Sequence, residues 1–139
     1  MNEQKSLYPS GLSRSQFTKL TDYSNKAISL TPNQLLVEVE SHFQEALIEY
    51  QKNRLINIRL AKAMVEIIKG LISEWETLPQ DVQAWLAGAM VYFASNDDEE
   101  PDFTSSIGFE DDVEVLNSCL KFAQMDHLCL NPEDYDNVS

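Results

Sequence analysis

Between Pro32 and Trp75 apolar residues recur at intervals of three and four, and no alternation is sustained through the stretch. Leu35/Leu36, Val39, Phe43, Leu47 and Tyr50 form one stripe; Leu55, Ile58, Ala61, Val65, Ile68, Ile72 and Trp75 form another. A period near 3.6 puts each set on one face of a helix, whereas a strand would scatter it over both faces. Thr31-Pro32 opens the stretch with a capping hydroxyl and a residue suited to the first helical position. Glu38, Glu40, Glu45 and Glu49 lie largely off the first stripe, and Lys52, Arg54, Arg59 and Lys62 then reverse the charge. Either one helix runs through, or two meet near Asn53. Two is the preferred reading, because a helix of roughly forty residues far exceeds the usual mean of about 11–12. Both stripes need a partner, and a hairpin supplies it.

The flanks extend the same pattern. Leu78-Pro79 interrupts it. A third helix follows, from about Pro79 to Ser95, rich in small residues: Ala84, Ala87, Gly88, Ala89 and Ala94. Small side chains let backbones approach closely, so this is expected to be the central, most enclosed helix. Gly88 costs about 1 kcal/mol relative to alanine there, which makes sense where a methyl group has no room. Asp111 to Met125 reads as a fourth helix, buried through Val113, Leu116, Leu120 and Ala123, with Val115, Cys119 and Phe122 widening the face. Phe17, Leu20, Tyr23 and Ala27 indicate a short amphipathic helix near the N-terminus. The expected fold is all-α: a single domain of four main helices plus a short N-terminal helix, with the small-residue helix at its centre. Residues 1–30 form a polar N-terminal segment, 31–125 the helical domain, and 126–139 an acidic tail expected to be extended or frayed.

A chain of 139 residues fits one domain, and 43% hydrophobic content is enough for a packed core. The longest apolar run, Ala84 to Ala94, falls well short of the about 20 residues a spanning helix needs. The opening MNEQKSLYPSGLSRS has no apolar core of the kind a secretory signal carries, and Cys119 and Cys129 make no disulfide framework, so a cytoplasmic protein is expected. Charge is unevenly placed. Of a net −13, residues 1–95 account for −1 and residues 96–139 for −12, with Lys121 the single base among thirteen acids. Such a field disfavours nucleic acid and anionic membrane; it attracts cations or a basic protein surface.

The acids concentrate first in Asn96 to Asp112, where eight of seventeen residues are Asp or Glu. Three readings fit. Asp111 and Asp112 sit where a helix N-terminus favours carboxylates, while Asp98 and Asp102 brace a turn at Pro101 and Gly108 allows a close approach. Alternatively Asp98, Asp102, Asp111 and Asp112 converge on Ca²⁺ or Mg²⁺, hard ions that prefer oxygen ligands. An EF-hand is not the frame, because Pro101 stands where its sixth position needs Gly, and Ile107 at the twelfth cannot coordinate. In the third reading the loop is a recognition surface for a basic protein.

Tyr92, Ser95, Asp98, Pro101, Asp102, Phe103, Gly108, Asp111 and Asp112 have an ungapped spacing that resembles the signature of the YkvA-like family of small bacterial helical proteins. That signature is an aromatic and an aliphatic, Ser-Pro-x-Asp, two aliphatics, Pro-Asp-Phe, then Gly-x-x-Asp-Asp. The resemblance spans about Trp85 to Phe122. It implies a small helical fold and no particular activity, since the family's general biochemical function is not established. This chain departs from the pattern at Asn96, Asp97, Glu99 and Glu100, where relatives commonly carry Pro or aliphatic residues, and at Ser105, another Pro position. Apolar positions have been exchanged for charge, so membrane contact is not expected.

Catalytic patterns are thin. His42 and His127 are far apart, and Cys119, His127 and Cys129 lack a fourth zinc ligand and the C-x-x-C spacing. Four glycines are scattered at 11, 70, 88 and 108, so no phosphate-cradling loop exists, and no nucleophile elbow appears. The leading expectation is a non-catalytic interaction or regulatory protein of the bacterial cytoplasm, presenting an acidic surface to a basic protein partner and using no cofactor. The alternative is the divalent-cation site. Trp75, Trp85, Tyr92 and Phe93 are a large aromatic load, which points either to a homodimer or to a monomer in which the Phe17–Ala27 segment covers the surplus.

Overall fold

The computed structural model describes residues 8–54, 56–95 and 109–135. They form five α-helices: α1 (Arg14–Ala27), α2 (Pro32–Lys52), α3 (Ile58–Ser73), α4 (Gln80–Ala94) and α5 (Glu110–Phe122). Short 3-10 turns cover Trp75–Thr77, Asp126–Leu128 and Pro132–Tyr135. No strand occurs among the described residues, and none of their helices is long and apolar enough to cross a membrane. The fold is all-α. With fourteen residues, α1 is no shorter than the thirteen-residue α5, so five comparable helices replace the expected four and an accessory.

Local chemistry sets the helix starts. Ser13 and Gln16 form a capping box: the Gln16 N–H donates to Ser13 Oγ and the Ser13 N–H to Gln16 Oε1. Thr31 and Gln34 repeat it at α2, with Pro32 in the first turn. The long apolar stretch is two helices. α2 ends at Lys52 with Asn53 extended, and Asn57 caps α3 by accepting from the Leu60 N–H at 3.1 Å.

α4 is the enclosed helix, packed against α1, α2 and α5. Leu86, Met90, Tyr92 and Phe93 are fully buried. The α1–α4 pair is the most extensive contact in the fold. A Cβ on Gly88 would sit 3.0 Å from the Ser24 N, Cα and Cβ atoms, so the two backbones meet more closely than a side chain there ordinarily allows. The Ser24 hydroxyl donates to the Ala84 carbonyl at 2.6 Å, pinning the crossing. Along the same interface Phe17 lies against Trp85 with ring centroids 5.8 Å apart, and Tyr23 meets Tyr92 edge-on.

Two helix faces are rotated from the expected stripes. On α2 the innermost residues are Leu35, Val39, His42 and Ala46, while Phe43 and Leu47 are half-buried. α2 contacts both α3 and α4, so its apolar arc is wide and its centre falls between the two neighbours. On α3 the core face runs through Leu60, Ala61, Met64, Val65, Ile68 and Leu71, with Ile58 and Ile72 at the margin. Leu55 lies outside the described residues.

The end of the chain also differs from expectation. α5 stops at Phe122, three residues before Met125, because Gln124 adopts a left-handed φ of 64°. The Met125 N–H reaches back to the Leu120 carbonyl and the Gln124 N–H to Lys121, the two bonds of a Schellman stop. Residues 126–135 then fold back instead of fraying. The Asn117 side chain donates to the Leu130 carbonyl and accepts from its N–H at 2.8 and 2.9 Å, and the Pro132–Tyr135 turn packs on α3.

Gly88→Ala should lower stability by about 1–2 kcal/mol despite alanine's better helix propensity, since α1 must shift to admit the methyl group. Gly70, with nothing within 4 Å of its added Cβ, should gain up to about 1 kcal/mol on the same change. Denaturant unfolding of the two variants checks the opposite signs.

Candidate functional site: an acidic junction of three helices

The first turn of α5 carries Glu110, Asp111 and Asp112, placing negative charge at the positive end of the helix. The residue at the N-cap position, Phe109, is apolar and fully buried. Asp111 does more than favour its own helix. Its Oδ2 accepts the Tyr92 hydroxyl at 2.6 Å, and its Oδ1 accepts Gln16 Nε2, also at 2.6 Å. Gln16 Nε2 donates as well to Glu114 Oε1 at 2.8 Å, one turn along α5. One amide therefore caps α1 through its oxygen and bridges two α5 carboxylates through its nitrogen. The end of α4, the start of α1 and the start of α5 are joined at a single carboxylate.

Around this joint lie further polar groups. The Tyr23 hydroxyl and Ser95 Oγ are 2.8 Å apart, linking α1 to the last residue before the acidic loop. His42 on α2 is 3% exposed, with its ring edge-on to Phe93 and Phe109 at 5.2 and 6.3 Å. Asp112 is 2% exposed and both of its oxygens are out of contact with solvent. The Ser118 hydroxyl donates to the Ser10 carbonyl and ties the N-terminal segment to α5.

Of the four acids expected to act together, Asp98 and Asp102 lie outside the described residues. Asp111 and Asp112 occupy adjacent positions but different environments, one bridging three helices and the other enclosed. Among the described residues no three His, Cys, Asp or Glu side chains assemble as a metal centre. Cys119, His127 and Cys129 do not form one: Cys119 donates to the Trp85 carbonyl and Cys129 to the Asn117 carbonyl. Burial pushes the Cys119 thiol far above its ordinary range, so it stays protonated and acts as a small core residue. Burial also raises Cys129, opposed by the nearby Lys121 charge and reinforced by Asp126.

Sequence reasoning did not find Gln16, Tyr23, Glu114, His42 or Phe109 in this junction. Ser13-x-x-Gln16 is legible as a capping box, but the second use of the glutamine depends on a contact across 95 residues. Tyr92 and Asp111, nineteen residues apart on either side of positions 96–108, meet in a hydrogen bond. No family model, no curated protein and no solved structure matches this chain.

Tyr92→Phe should cost about 1.5 kcal/mol, the scale of a hydrogen bond to a charged group, and leave helix content intact. Glu114→Gln, at an exposed position, should stay within about 0.5 kcal/mol of the parent. Urea titration followed by circular dichroism separates them.

Proposed function

We propose that this chain is a non-catalytic interaction or regulatory module whose acidic C-terminal third engages a basic surface on a protein partner. The observation that carries this reading is the segregation of charge. Lys52–Glu49, Lys69–Glu40 and Lys69–Glu66 are ion pairs on α2 and α3, whereas among the described residues no ion pair neutralises Glu114, Asp126, Glu133 or Asp134. All four of those acids are exposed. The Asn117 clamp holds part of the tail against the body, so its carboxylates are presented from a folded surface. A kinship with the YkvA-like family is part of the proposal, and the bond between Tyr92 and Asp111, two positions of the resembling pattern, supports it.

The test is capture of a partner by the full chain at low and at moderate salt, alongside a variant with Glu114→Gln, Glu133→Gln and Asp134→Asn. A charge-led complex weakens as salt rises and is lost with the three neutralising changes, while Glu38→Gln and Glu45→Gln on α2 leave it intact. Capture indifferent to salt and to the α5 and tail acids overturns the reading.

The enclosed position of Asp112 beside Asp111 favours one second reading, a calcium or magnesium site completed by Asp98 and Asp102. In that case either ion raises the melting temperature where sodium of equal ionic strength does not, and Asp112→Asn abolishes the gain. Calorimetry in which Asp112→Asn loses the same stability with and without the ion assigns Asp112 to the fold alone.

A further inference from the structure

Residues 126–135 fold back on α5, and what holds them there is narrow. The Asn117 side-chain amide donates to the Leu130 carbonyl and accepts from its N–H. The Asn117 backbone carbonyl accepts the Cys129 thiol at 3.6 Å. Among the described residues, every hydrogen bond from this segment to the five helices ends on Asn117. The others close turns within the segment or at its start: Leu128 N–H to the Met125 carbonyl, Cys129 to Asp126, and Asp134 to Asn131. No ion pair among the described residues ties Asp126, Glu133 or Asp134 to the bundle. None of its residues is fully enclosed; Leu128, Leu130 and Tyr135 are half-buried against the core. Where the chain leaves α5, Gln124 holds a left-handed φ of 64°, a conformation that side chains disfavour.

We propose that residues 126–135 are a strap that opens as one unit, with Asn117 as its catch and residues 123–125 as its hinge, while α1 to α5 stay folded. Segments with few buried apolar contacts and solvent-exposed hydrogen bonds open at a fraction of the free energy of global unfolding. This one has that character because its anchors converge, so one rearrangement of Asn117 releases all of them. Its own structure is two short 3-10 turns, with no ladder continuing into a neighbouring helix. Opening has two effects. The Pro132–Tyr135 turn lifts from α3, so part of that helix meets solvent. Asp126, Glu133 and Asp134 pass from a fixed surface to a tether, which raises the ordering cost of any contact made through them. The strap goes beyond the acidic-surface reading, and its opening stands whether or not that reading holds.

Amide hydrogen exchange of the full chain, followed by NMR over a range of low denaturant concentrations, tests it. Met90, fully buried in α4, reports global unfolding, whose free energy falls steeply with denaturant. The Cys129, Leu130 and Asp134 amides should be protected about a hundredfold less than Met90, and with little dependence on denaturant. Asn117→Ala should then speed Cys129 and Asp134 about tenfold, although neither N–H bonds to position 117. Ser29→Ala, which removes an exposed hydroxyl bond at the end of α1, should leave all three unchanged. Strap amides that share the free energy and denaturant slope of Met90 overturn the proposal, because the segment is then part of the bundle. So do strap amides with no protection at all, which a closed catch forbids. A response to Asn117→Ala confined to Leu130 overturns it as well, since a unit opens together. The parent chain alone supplies the first comparison, so the outcome does not depend on a variant that folds.

Discussion

The fold depends on one backbone approach, that of α1 to α4 at Ser24 and Gly88. With the two helices this close, Ser24 reaches the Ala84 carbonyl, Phe17 lies on Trp85 and Tyr23 meets Tyr92. An alanine at position 88 would press on the Ser24 backbone, at the centre of these contacts. The approach also places Gln16 where its amide spans to α5. A segment that looks polar and accessory in composition is thereby the lid of the core. It covers α4 on the side that α2 and α5 leave open, and takes up much of the aromatic load that otherwise implies surplus apolar surface.

The acidic junction solves a related problem. Helix N-termini leave N–H groups unsatisfied and favour negative charge nearby, but three carboxylates in one turn of α5 repel one another. Gln16 and Tyr92 relieve this by donating to Asp111 and Glu114, neutral donors that add no counter-charge. The molecule therefore keeps its negative field while fixing the geometry of Asp111 and Glu114. Exposed acids farther out, such as Asp126 and Glu133, have no such internal duty.

Much of the architecture was legible because it rests on local periodicity. The helical class, the division near Asn53, the Thr31-Pro32 start and the enclosed small-residue helix all follow from spacing within a few turns. The inner positions of α2 and α3 were less legible: a wide apolar arc does not say where its centre lies until the neighbours are known. His42 takes an inner place that hydropathy assigns to Phe43. The tail was misread because its composition is acidic and short of apolar residues, while what holds it is an Asn117 amide donating to and accepting from the backbone. At the junction only the acids of α5 announced themselves, since Gln16, Tyr23 and Ser95 acquire their partners across intervals of 72 residues or more.

Tyr92 and Asp111 bind each other from opposite ends of the acidic interval. The closure is thus made by residues of the helices, and the interval between them need not supply it. The entropic cost of a loop whose ends are already held rises only with the logarithm of its length, about 0.6 kcal/mol for each doubling. The Tyr92–Asp111 bond thus sets how far apart the ends of α4 and α5 can lie, whatever joins them.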